Sequence, residues 1–209
     1  MTGVGRAATV AGGLVVSMVL AGCASSGSAD GSDGADGTDG STTSSVDSSA
    51  SSERSGVEIA NPKDAAALDP CDLLPAGAAE SLGLKTQGQK QSNIFGSSLP
   101  DLCDWESPDG GEEHVSLSAI DDRSIEKYHE NKSKYKDFEK IEVSGYPAVV
   151  ANRINPADNG MCAIFLASQE NQVVGSAVTV PVDDVGQTNP CDMAKKALKL
   201  SLPSWPAAG

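Results

Sequence analysis

From Ala24 to Gly56 the chain is built almost wholly of Ser, Gly, Asp, Thr and Ala, with one valine and no aromatic residue. Such a stretch cannot bury enough apolar surface to offset the entropy of ordering it. All eight Trp, Tyr and Phe residues come after position 90. A folded body is therefore expected over residues 57–209, with residues 23–56 as a flexible tether. As a coil of 33 residues the tether has a root-mean-square span of roughly 30 Å. Within it Asp-Gly recurs at Asp30, Asp33, Asp36 and Asp39. The spacing lacks the closing Glu of a calcium loop, so it reads as low-complexity spacer.

What precedes the tether is an address. Arg6 gives a positive start, Ala7 to Leu20 are uncharged, and Leu20-Ala21-Gly22-Cys23 follows. The apolar run is too short to span a bilayer comfortably and fits a secretory signal over residues 1–22. A cysteine after two small residues at the end of such a run is the pattern of a bacterial lipobox. In that reading Cys23 is acylated with diacylglyceryl and palmitate and becomes the mature N-terminus. The alternative is an ordinary signal with a chance cysteine. Two or more acyl chains hold a protein on a membrane without help from the domain. The expected location is thus the extracytoplasmic face of the cell membrane.

The formal net charge is −14. Taking away the tether's five Asp, Glu53, Arg54 and Arg6 still leaves the body near −10. Nucleic acid is excluded as a partner, because phosphate binding needs a Lys/Arg surface.

Four further cysteines, Cys71, Cys103, Cys162 and Cys191, are expected to form two disulfides after export. Three connectivities are possible. Cys71–Cys103 and Cys162–Cys191 are expected, each tying a capped helix start to a nearby strand. The flanks Asp69-Pro70-Cys71-Asp72 and Asn189-Pro190-Cys191-Asp192 each place a capping residue, then proline, then acid in a first turn. Helices are expected at about 70–83 and 190–200. Thiol redox chemistry is disfavoured, since no Cys-x-x-Cys occurs and Asp72 and Asp192 oppose thiolates. A zinc site is disfavoured by the spacing.

A third helix is expected over 123–135, with Ile125, Tyr128 and Tyr135 on one face and Glu130 paired with Lys134. Val115, Leu117 and Ala119 alternate with Ser116 and Ser118. Tyr146–Arg153, Met161–Ser168 and Gln172–Val180 are β-like runs separated by turn signals. Cys162–Leu166, apolar on both faces, reads as the central strand. The fold class is α+β: an antiparallel meander with helices packed against it and two disulfides.

The ordered set Asp69-Pro70-Cys71-Asp72-Leu73-Leu74, Cys103-Asp104-Trp105, Gly145-Tyr146-Pro147-Ala148-Val149, Cys162 and Asn189-Pro190-Cys191 resembles an actinobacterial lipoprotein family known as domain of unknown function 3558. The resemblance covers roughly residues 65–200. It implies a membrane-anchored extracytoplasmic domain and supplies no active site. More loosely, a two-disulfide exported α+β domain is similar to the extracellular sensor domains of mycobacterial serine/threonine kinases, a likeness of fold alone.

Catalytic signals are sparse. His114 and His129 read as solvated polar residues, and no Gly-x-Ser-x-Gly, Ser-x-x-Lys or His-Glu-x-x-His occurs. The acidic run Asp101, Asp104, Glu106, Asp109, Glu112 and Glu113 flanks Pro108-Asp109-Gly110-Gly111. It reads as a solvated turn, with a cation site or a paired-carboxylate hydrolase as alternatives. Trp105 is expected on a disulfide, while Trp205 could pack back or stay exposed. The expectation is a non-enzymatic binding or sensing module without metal or cofactor. Its partner is an unidentified small ligand or envelope protein, and it would show a concave apolar pocket or a partner-sized patch. An accessory protein of an envelope complex is the alternative.

Overall fold

The computed structural model describes residues 57–92 and 99–209. The signal, Cys23 and the tether lie outside the described residues. Seven strands form one antiparallel sheet: β1 (Gln89–Gln91), β2 (Leu102–Glu106), β3 (His114–Asp121), β4 (Asp137–Val143), β5 (Tyr146–Asn152), β6 (Met161–Gln169) and β7 (Gln172–Thr179). Their order is β1-β2-β3-β7-β6-β5-β4. Two meanders, β1–β3 and β4–β7, are joined because β7 returns to pair with β3. The α+β class, the antiparallel sheet and the helices against it are as expected.

The central place belongs to β7. The apolar run Cys162–Leu166 lies in β6, one strand away, between β7 and β5. Any strand buried on both faces reads the same, so the run marks interior position and not the exact middle. Strand β4 was not anticipated. Its Asp, Glu and Lys residues hide an alternation of Phe138 on one face and Ile141 and Val143 on the other.

One face of the sheet is covered by α4 (Pro190–Ser201), whose Ala194, Ala197, Leu198 and Ser201 are buried against it. Its start is as the sequence implies: the Asn189 side chain accepts from the Cys191 N–H, and Pro190 follows. The expected helix over 70–83 is instead a 3-10 turn, Pro70–Asp72, then a break, then α1 (Ala76–Ser81). Pro75 causes the break. It has no N–H to continue the first turn and itself caps the second element in an extended conformation. The helix expected over 123–135 is also shorter, α2 (Glu126–Glu130) followed by a 3-10 turn at Lys132–Lys134. With the helix ending at Glu130, Lys134 does not come round to it; Lys127 lies 3.7 Å from Glu130 instead. A short helix, α3 (Pro156–Asn159), fills the β5–β6 connection and ends at Gly160, φ +67°. No helix among the described residues is long and apolar enough to cross a membrane.

Both disulfides have the expected partners, Cys71–Cys103 and Cys162–Cys191. The first ties the Pro70–Asp72 turn to β2, and the second ties α4 to the start of β6. Trp105 is 1% exposed. Trp205 packs back and is 2% exposed, its indole N–H donating to the Leu73 carbonyl at 3.4 Å. Gly88 is pressed against this core. A Cβ there would overlap Cys103 Sγ and sit 2.7 and 2.9 Å from the Trp105 indole. Neither a disulfide sulfur nor a buried indole can step aside easily. Gly88→Ala is therefore expected to cost about 1–3 kcal/mol, read as a lower urea midpoint. An unchanged midpoint would contradict this packing.

The opposite face of the sheet carries a second, smaller core. Ile120, Val149, Ala151, Ala167 and Val173 meet Ile125 and Tyr128 from the α2 segment. Tyr128 stacks on Phe165 with centroids 4.3 Å apart. Val57 enters here, its N–H donating to the Glu126 carboxylate at 2.9 Å.

Candidate functional site

The sequence pointed to the acidic β2–β3 hairpin, and there the register decides what meets. Asp104 lies opposite Ser116 and Glu106 opposite His114, so all four side chains share a face. His114 Nδ1 is 3.0 Å from Asp104 Oδ2, and Ser116 Oγ donates to Asp104 Oδ1 at 2.5 Å. His114, with 37% of its side chain exposed, is thus hydrogen-bonded to a buried carboxylate. His129 is half-buried, edge-on to Phe138 at 6.2 Å. Burial, then Lys140, holds its pKa below the usual histidine value.

Asp104, Glu106 and His114 bring ligand atoms within 4.8 Å of one another. The Lys85 ammonium, however, already sits 2.7 Å from Glu106, and its hydrogen bond holds that carboxyl below the usual range. A cation would have to displace it. Nor is a nucleophile activated: Ser116 and His114 each bond Asp104 separately, whereas a relay needs the hydroxyl to give its proton to the imidazole.

The rest of the acidic run disperses. Asp101 is 3.8 Å from Lys90, Asp109 accepts from Ser107 and the Gly111 N–H within the turn, and Glu112 accepts from the Val182 N–H at 3.3 Å. Glu113 is raised by burial, then by Asp184 and Asp109.

At the other end of the sheet lies a site that sequence reasoning missed. After β3, Asp122 turns the chain with φ +55°, and the Arg123 N–H is fixed on the Asn171 carbonyl at 3.0 Å. Ile125 plugs the core, which sets the α2 segment so that Asp122, Arg123, Lys127, Tyr128, Asn131 and Tyr135 line an open pocket of about 330 Å³. Tyr128 forms part of its wall and is only 4% exposed. Its hydroxyl oxygen is buried, with the Arg123 guanidinium beside it. Burial pushes its pKa up to about 12, against the hydrogen bond and the charge of the Arg123 guanidinium.

The one sequence signal for this place is charge. Six of the fifteen Lys and Arg residues fall between positions 123 and 140 of a strongly acidic chain. The concavity is polar with aromatic walls, not the apolar pocket expected. A larger polar hollow of about 680 Å³ beside it includes Asp64, Asp121 and Gln172. There the Gln172 amide is fully used, donating to both carboxylates and accepting from the Ala65 N–H and Ser168 Oγ. That network ties the entering chain to β3 and β6.

A model of a family of proteins of unknown function, DUF3558, matches residues 18–204. The chain belongs to that family. Neither a curated protein nor a solved structure matches it.

Proposed function

We propose that this DUF3558 member is an exported lipoprotein, acylated at Cys23, whose tether presents a non-enzymatic ligand-binding domain at the outer face of the cell membrane. The lipobox and the oxidised state of all four remaining cysteines support export. The binding reading is carried by one observation: an open pocket of about 330 Å³ beside α2, walled by Tyr128 and Tyr135 and lined by Arg123 and Lys127.

The anchor is tested by fractionation. The unaltered chain is expected in the membrane fraction, released by detergent, while Cys23→Ser is expected in the soluble exported fraction. Retention of Cys23→Ser on the membrane would overturn the anchor. Binding is tested by native mass spectrometry of the full chain purified gently in a non-ionic detergent. A non-covalent mass of a few hundred daltons is expected, and a protein that carries only its acyl chains speaks against the reading.

A second reading has its own support. Ile154, Met161 and Val182, all at least half exposed, fall together at the end of the sheet away from the entering chain. Apolar residues so grouped suit a protein partner. In-cell crosslinking from positions 154 and 182 would capture an envelope protein if this end docks one.

A further inference from the structure

We infer that the outer edge of β4 pairs antiparallel with the same edge of a second copy of this chain, about a two-fold axis at Ile141, so that two sheets become one. The inference is independent of the ligand reading above.

Strand β4 ends the sheet and pairs only with β5. Their hairpin turns through Ser144 and Gly145, at φ 54° and 87°. A two-residue turn of this kind makes Val143 and Tyr146 a hydrogen-bonded pair. Alternation then aims the main-chain groups of Asp137, Glu139 and Ile141 at β5 and those of Phe138, Lys140 and Glu142 outward. No other backbone meets these outward groups among the described residues. Lys140 and Glu142 are exposed, share a face and have no ion-pair partner among the described residues. Charges on an edge ordinarily keep further strands away, and here they exclude every two-fold register but one. An axis at Asp137, Glu139, Lys140 or Glu142 sets that charge against itself. One at Phe138 sets Asp137 against Glu139, and one at Val143 leaves only turn residues opposite. An axis at Ile141 places Ile141 on Ile141 on one face. On the other it places Lys140 on Glu142 of the second copy, twice over. Each Lys140–Glu142 pair also exchanges both main-chain hydrogen bonds, satisfying the outward groups of both residues.

The test is disulfide trapping of the full chain, purified in a non-ionic detergent and oxidised by air. Across the axis the two Ile141 residues form a non-hydrogen-bonded pair, with Cα atoms about 4.5 Å apart, within reach of a disulfide. Ile141→Cys is expected to form a covalent dimer roughly tenfold faster than Glu139→Cys, which lies on the same face two residues away. Adding Glu142→Lys to Ile141→Cys is expected to slow trapping roughly tenfold, and further adding Lys140→Glu to restore it. The sign is informative. Glu142→Lys makes the −14 chain less negative, so relief of general repulsion would speed trapping instead. Equal rates at positions 139 and 141, no trapped dimer, or no rescue by the charge exchange would overturn the inference. Should Ile141→Cys not fold, the same exchange is read by sedimentation velocity of the chain without that cysteine. Loss of dimer in Glu142→Lys and its return in the double variant support the pairing, and a chain still monomeric at about 1 mM contradicts it.

Discussion

Replacing Cys162 and Cys191 together by alanine is expected to lower the stability of the domain by about 3–4 kcal/mol. The bond closes a loop with a sequence separation of 29. In the chain-entropy model, freeing such a loop in the unfolded state accounts for that magnitude. A domain of this size has a total margin of about 5–15 kcal/mol, so one bond is a large part of it. The native state adds a reason of its own. Cys162 is 2% exposed at the start of β6, while Cys191 sits in the first turn of α4. The link therefore joins an interior strand to the helix that covers the sheet. The Cys71–Cys103 bond, with a separation of 32, should have a similar effect. Losing both is expected to bring the domain close to unfolding at 37 °C. Urea unfolding of each double variant measures this, and a loss below about 1 kcal/mol would show that the bonds do not constrain the unfolded chain as supposed.

Trp105→Ala is expected to cost about 3–5 kcal/mol, the range for deleting a buried large aromatic side chain. The indole lies on the inner face of β2, where Cys103 Sγ and the Gly88 backbone close over it. The same geometry predicts coupling. Gly88→Ala clashes with the indole and so should cost less in a Trp105→Ala background than alone. A strictly additive double mutant would place the indole elsewhere.

The parts legible in the sequence were those written in local chemistry. Cap, proline and acid around Cys191 announce α4, and the short separations between cysteines announce their pairing. The alternation of Val115 and Leu117 with Ser116 announces which side of β3 is buried. The less legible parts depend on what a distant segment supplies. Pro75 splits a run that looks helical, and α2 stops short because tertiary packing, not its own caps, holds it; no side-chain cap bonds its first turn. The bond of His114 to Asp104 was not legible because cross-strand register sets it. That Tyr128 shares a helix face with Ile125 was legible, and both are buried. That Arg123 would come beside its hydroxyl could not be seen, since the turn at Asp122 and the Asn171 carbonyl set that approach.

The most direct measurement is a crystal structure of the protein purified from its native envelope without added carboxylate or phosphate. The account predicts a bound molecule in the pocket beside α2, in contact with residues such as Arg123, Lys127 and Tyr135 that line it. Only water in that pocket would contradict it.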